Sequence, residues 1–118
     1  MNKNKISVLG GGSWGTVLAY LASLNDNEVT LWMRDEEVVK EINNNNINSK
    51  YLPNLNLGSN LTATSKIEDI SDSGIIIFCI PSDAFRDVSD LASSYVRDES
   101  FLATATKGVE KDGFSLMS

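Results

Sequence analysis

Ile6-Ser7-Val8-Leu9-Gly10-Gly11-Gly12-Ser13-Trp14-Gly15 is the most informative stretch of this chain. Four β-type residues run straight into a glycine cluster in which Gly10, Gly12 and Gly15 fit the pattern G-x-G-x-x-G. Past the cluster Trp14, Val17, Leu18, Leu21 and Leu24 recur at helical spacing, as one apolar helix face would. Glycine loops alone are common. A loop that directly follows a strand and opens a helix, within a strand-helix-strand unit, is the arrangement that binds a dinucleotide. Each glycine then has its own task. Gly10 permits the tight turn, Gly12 leaves room for a pyrophosphate to approach, and Gly15 lets helix and strand pack closely. The N–H groups of the helix start face the phosphates, with the helix dipole behind them. A glycine turn of purely structural purpose is the competing reading. A P-loop is set aside, because no Gly-Lys-Ser/Thr follows at the required spacing; a methyltransferase-type glycine loop, which usually wants an acidic residue ending the second strand, stays open.

The second strand, Val29-Thr30-Leu31-Trp32-Met33, is rich in β-branched and aromatic residues. It ends at Arg34-Asp35. In domains of this kind an acidic residue about 20 positions past the loop takes a ribose 2'-hydroxyl, whereas an arginine suits a 2'-phosphate. Arg34 stands first here, with a solvated surface charge as the alternative. Asp35 opens a second helix carrying Val38, Val39 and Ile42, with its acidic residues at the favourable end of the dipole. Residues 43–59 read as a long asparagine-rich loop, to which no site role is given; 61–64 as a short edge strand; and 66–70 as a helical turn or two. Residues 74–80 form an unbroken apolar run, as expected of a strand covered by helices on both faces. Pro81 stops it, and Ser82 is placed to cap a helix through Leu91 and Ala92. Residues 101–105 are the last strand. It leads into Thr106-Lys107-Gly108, which puts Lys107 at the carboxyl edge where α/β sheets bind ligands.

Strands alternating with helices at these lengths predict an α/β fold: a doubly wound, mostly parallel Rossmann sheet in the order 3-2-1-4-5, with helices on both faces. The 118 residues make one domain, and a new helix starting near Phe114 suggests that it is cut from a longer protein. Composition narrows the function classes. Ten basic against sixteen acidic residues, a formal charge of −6, argue against nucleic-acid or membrane-surface binding. The chain has no histidine, the commonest general base and metal ligand, and no metal site is expected. Cys79 stands alone in an apolar run and reads as a small buried hydrophobe in a reducing compartment. With no signal-peptide core or membrane span, a cytoplasmic location is expected.

Five segments together are specific: residues 9–16 around the glycines, Leu31-Trp32-x-Arg34, Lys50-Tyr51-Leu52-Pro53-Asn54, Ile80-Pro81-Ser82 with Phe85, and Ala105-Thr106-Lys107-Gly108-Val109-Glu110. In this order they resemble the N-terminal cofactor-binding domain of bacterial NAD(P)-dependent glycerol-3-phosphate dehydrogenases. The resemblance covers essentially the whole chain. Gly11, where alanine is more familiar, is a conservative departure. The resemblance implies an oxidoreductase that interconverts sn-glycerol 3-phosphate and dihydroxyacetone phosphate by hydride transfer, for glycerophospholipid synthesis. It implies NADP(H) as preferred cofactor, with NAD(H) also admitted, and a small phosphate substrate; it leaves room for a homodimer. It gives Gly10, Gly12, Ser13, Trp14 and Gly15 to the phosphates, with Trp14 alternatively a core residue on the apolar helix face. Arg34 would bind the adenosine ribose end, and Tyr51 would either contribute to the cofactor site or anchor its loop. Phe85 is read as a core aromatic. Lys107 would touch cofactor and substrate. The catalytic lysine of such enzymes lies in a helical C-terminal domain that this chain lacks, so no catalytic residue is assigned and the chain alone is expected to be inactive. Two other readings stay open: another dehydrogenase, of 6-phosphogluconate or hydroxyacid type, and a non-enzymatic dinucleotide-sensing module.

Overall fold

The computed structural model of the 118-residue chain describes residues 2–10, 12–96 and 101–104. Five strands, β1 (Asn2–Leu9), β2 (Glu28–Trp32), β3 (Leu61–Thr64), β4 (Ser73–Phe78) and β5 (Phe101–Thr104), form one sheet in the order β3-β2-β1-β4-β5. Every pairing is parallel. The helices are α1 (Ser13–Ser23), α2 (Glu36–Asn45) and α3 (Ser82–Ala92), and a 3-10 turn at Ile67–Ile70 leads from β3 into β4. Fold class and strand order are those expected, and the winding reverses between β1 and β4, where such sheets bind ligands. Residues 105–118, with Lys107, the expected end of the last strand and the helix from Phe114, lie outside the described residues. Among the described residues no helix is long and apolar enough to cross a membrane.

The two-residue alternation of the strands divides the core between two faces. Ile6, Val8, Val29, Leu31, Leu61 and Ala63 pack with Ala19 of α1 and with Val38 and Ile42 of α2. Leu9, Trp32, Ile76 and Phe78 point the other way, onto Ile67 and Ile70 of the 3-10 turn and Val88 and Ala92 of α3.

Two expectations about burial are corrected. On β4 the two faces are covered unequally among the described residues: Ile76, Phe78 and Ile80 are buried under α3, while Ile75, Ile77 and Cys79 are half-buried against the cluster that includes Ala19 of α1. The apolar run is unbroken, but its two faces are unequally covered by the described residues. In α1 the residues turned to the sheet are Gly15, Thr16, Ala19 and Ser23, not the large apolar stripe. Trp14 is 39% exposed, Leu21 51% and Leu24 59%. At 3.6 residues per turn these two sets lie on opposite sides of the helix. Small side chains let the helix axis come close to β1, and the bulky ones are left outside.

The asparagine-rich region is more ordered than expected. Asn43, Asn44 and Asn45 belong to α2, and Asn46 ends it in the left-handed conformation, φ 60°, which asparagine tolerates better than most residues. Asn43 pins the edge strand, donating to the carbonyl of Ala63 at 2.9 Å and accepting its N–H at 2.8 Å. Ser82 is the first residue of α3 rather than its cap, a position taken by Pro81.

Candidate functional site

The glycine loop lies where β1 hands over to α1. Gly10 has φ +124°, a conformation that side chains rarely adopt, and a Cβ there would strike the carbonyl oxygen of Cys79. A Cβ on Gly15 would strike the carbonyl of Gly10, with the Cys79 side chain 3.7 Å away. Gly12 differs. Its φ of −72° and ψ of −172° suit any residue, and among the described residues nothing lies within 4 Å of the position a Cβ would take. The fold demands the first and third glycines and makes no demand for the second. Gly12 is also the N-cap of α1, and no side chain caps that end. Open space thus stands over a helix start, where N–H groups and the positive end of the dipole attract an anion. A pyrophosphate fits such a cradle.

The end of β2 meets this loop directly, because the Gly10 N–H donates to the carbonyl of Trp32 at 2.8 Å. Two residues on, Arg34 is exposed, with its guanidinium carbon 5.8 Å from the centre of the Trp32 ring. Stacking on an aromatic face holds a planar fork of donors in place. Asp35 turns into α2 as its N-cap, and its Oδ1 accepts from the N–H groups of Glu37 at 3.1 Å and Val38 at 3.3 Å. Its other oxygen takes the Lys50 ammonium at 3.3 Å. That hydrogen bond from Lys50, then the one from the Val38 N–H, holds the carboxyl below the usual aspartate range. Both oxygens of Asp35 are engaged, so it is poorly placed to receive ribose hydroxyls. Lys50 is raised in turn, first by Asp35 and then by Tyr51.

Tyr51 is 42% exposed, and the Lys50 ammonium lies 5.5 Å from its ring centre. Ser13 and Trp14 are exposed at the start of α1, so Trp14 is not a core residue. Phe85 is half-buried and packs on Phe78 with ring centroids 5.5 Å apart, as its reading as a core aromatic requires. The structure therefore gathers Gly10, Gly12, Ser13, Trp14, Gly15, Arg34 and Tyr51 around the carboxyl ends of β1 and β2. Lys107 lies outside the described residues. Sequence reasoning missed Lys50, although it adjoins Tyr51 in a quoted motif. It also missed Thr16 and Asn48, which are polar yet wholly buried beneath the loop. No periodicity or spacing singles these two out.

Comparison with known proteins agrees with this geometry. Residues 5–118 match the family described as NAD-dependent glycerol-3-phosphate dehydrogenase N-terminus. The chain is 44% identical over 115 residues to a glycerol-3-phosphate dehydrogenase (NAD(P)+) of Acinetobacter baumannii, covering 97% of this chain and 32% of that protein. It is 42% identical over 113 residues to the enzyme of the same name from Rickettsia bellii, covering 96% of this chain and 36% of that protein. A crystal structure of glycerol-3-phosphate dehydrogenase from Coxiella burnetii superimposes with a TM-score of 0.82 at 30% identity, over 89% of this chain and 33% of the other. The chain thus spans about a third of the length of the curated relatives it matches.

Proposed function

The chain belongs to the family of NAD-dependent glycerol-3-phosphate dehydrogenase N-termini, and from that premise we propose that it is the dinucleotide-binding domain of an enzyme interconverting sn-glycerol 3-phosphate and dihydroxyacetone phosphate. One observation carries the reading. Gly12 stands under open space at an uncapped helix start, with backbone angles that any residue could adopt. Glycine is acceptable to the fold as an N-cap, as serine, asparagine or aspartate would be, but an approaching pyrophosphate requires it.

Gly10, Gly12, Ser13, Trp14 and Gly15 hold the phosphates, and Tyr51 adds to the cofactor site. Arg34 takes the 2'-phosphate, so NADP(H) is preferred over NAD(H). Asp35, occupied by its helix and by Lys50, does not oppose that phosphate. Lys107 serves both cofactor and substrate. The nicotinamide supplies the hydride chemistry when bound, and the protein orients it.

The remaining two thirds of the relatives' length corresponds, in this proposal, to a helical domain that completes the substrate pocket and carries the catalytic lysine. The outward apolar stripe of α1 and the half-open face of β4 are apolar surfaces such a domain would cover. The product feeds glycerophospholipid synthesis in the cytoplasm, a reducing compartment that suits the lone thiol of Cys79. The parent enzyme could assemble as a homodimer. Family membership favours this substrate over the 6-phosphogluconate and hydroxyacid alternatives.

Calorimetric titration of the purified chain tests the proposal. NADPH and NADH should each saturate one site per chain, and NADPH the more tightly. Failure of both to bind would end the reading. An effect of glycerol 3-phosphate on NADPH affinity that disappears with Lys107→Ala would favour an enzyme domain over a dinucleotide sensor.

A further inference from the structure

Beneath the glycine loop runs a chain of hydrogen bonds between segments far apart in sequence. Asn48, in the region between α2 and β3, is fully buried. Its Nδ2 donates to Oγ1 of Thr16 at 3.0 Å. Thr16, also fully buried in the first turn of α1, donates from that hydroxyl to the carbonyl oxygen of Gly12 at 2.8 Å. A threonine hydroxyl has a single hydrogen. With the Asn48 amide donating to its oxygen, that hydrogen is directed to Gly12. The Gly12 carbonyl and the Ser13 N–H belong to one planar peptide group and point in opposite directions. The Gly12 carbonyl also accepts the helical N–H of Thr16 at 3.0 Å, so the hydroxyl adds a second bond to the same oxygen and reinforces the orientation of that peptide, whose Ser13 N–H lies on the opposite side.

We infer that Asn48 is a positioning residue for the phosphate loop, acting through Thr16 to fix the Gly12–Ser13 peptide in the orientation that presents the Ser13 N–H to a pyrophosphate. The inference rests on the dinucleotide reading of that loop. The backbone of Asn48 extends the same connection to a second part of the site. Its carbonyl accepts from the N–H groups of Tyr51 at 3.3 Å and Leu52 at 2.7 Å. The corner that bears Lys50 and Tyr51 is thus built on the residue that braces the loop.

A buried amide that merely fastened residues 46–58 to the domain would behave differently. Its loss would lower stability but leave folded molecules with the same affinity for every ligand. A positioning role separates ligands, because only those with a pyrophosphate depend on the Ser13 N–H.

The test titrates NADPH and adenosine 2'-monophosphate into the wild-type chain and into Thr16→Val, Thr16→Ser and Asn48→Ala variants. Circular dichroism establishes that each is folded. Thr16→Val keeps the side-chain shape and removes only the hydroxyl, so it serves even where Asn48→Ala fails to fold. Thr16→Val and Asn48→Ala should each weaken NADPH about five- to ten-fold, the loss of one net hydrogen bond. Adenosine 2'-monophosphate should be nearly unaffected, and Thr16→Ser should retain wild-type affinity. The double variant should be little worse than the worse single one, because both changes cut the same connection. A folded Thr16→Val chain that binds NADPH as wild type does, or that loses both ligands equally, overturns the positioning role alone. A wild-type chain that does not bind NADPH overturns the dinucleotide reading and this inference with it.

Discussion

Three glycines of one motif carry three separable constraints, and substitution can tell them apart. Gly10→Ala and Gly15→Ala place a Cβ against backbone carbonyls, and the first also forces a side chain into φ +124°. Strain of this kind costs on the order of 1–3 kcal/mol, so both should unfold at lower denaturant concentration. A Cβ at Gly12 meets no atom of the described residues within 4 Å. The stability of Gly12→Val should fall by no more than about 1 kcal/mol, the usual cost of a poor N-cap residue, while dinucleotide affinity is lost, as calorimetry and denaturation on the same sample would show. Unchanged affinity in that variant would remove the pyrophosphate from this loop. Arg34 carries the second expectation at this scale. A charge-assisted hydrogen bond to the 2'-phosphate contributes about 1.5–3 kcal/mol, roughly ten- to a hundred-fold in affinity. NADPH should therefore bind more tightly than NADH, and Arg34→Ala should remove most of the difference. Titrations at low and moderate salt measure it. A preference that survives loss of Arg34 would move recognition of the ribose to another cation, with Lys50 the first to examine.

At the level of elements, the sequence was legible where local signals agreed. The abrupt change from β-type residues to glycines at Leu9 located β1, the loop and α1, and the β-branched run at Val29 located β2. Asp35 was legible as the residue that turns into α2, and its carboxylate does accept the helix N–H groups. The orientation of α1 was not legible. Periodicity reveals which residues share a face, but not which face meets the sheet. Here close approach to β1 favours Gly15 and Ala19, and it outweighs the burial of larger side chains. Asn48 was hidden for a different reason. Burial of a polar side chain depends on a partner supplied from elsewhere in the fold, and Thr16 is 32 positions away. The inverted helix gives a direct expectation. Ala19 is fully buried, so Ala19→Leu should overpack the sheet and destabilise by about 1–3 kcal/mol. Leu21 is 51% exposed, so Leu21→Ser should change stability by no more than about 0.5 kcal/mol. Chemical denaturation of the two variants decides it; a larger loss at Leu21 would restore the apolar stripe to the core.

For the molecule as a whole, the decisive property is how much apolar surface the described residues leave exposed. Trp14, Leu21 and Leu24 stand exposed along one side of α1. Ile75 and Ile77 are only half-covered on the face of β4 opposite α3. β5 borders the described sheet as an edge strand, a ready template for pairing with another chain. Exposed apolar side chains grouped along one helix suit a site of association, and the curated relatives are about three times as long as this chain. The purified 118-residue chain should accordingly bind NADPH, show no reduction of dihydroxyacetone phosphate above background, and associate with itself as its concentration rises. Charging the stripe with Leu21→Lys and Leu24→Lys leaves the glycine loop and Arg34 untouched. That variant should sediment as a monomer, at concentrations where wild type does not, with its NADPH affinity unchanged. A wild-type chain that stays monomeric in concentrated solution would mean that these side chains are simply solvated. Turnover of dihydroxyacetone phosphate by the purified chain, abolished by Lys107→Ala, would refute the proposal that the catalytic lysine lies in a separate helical domain.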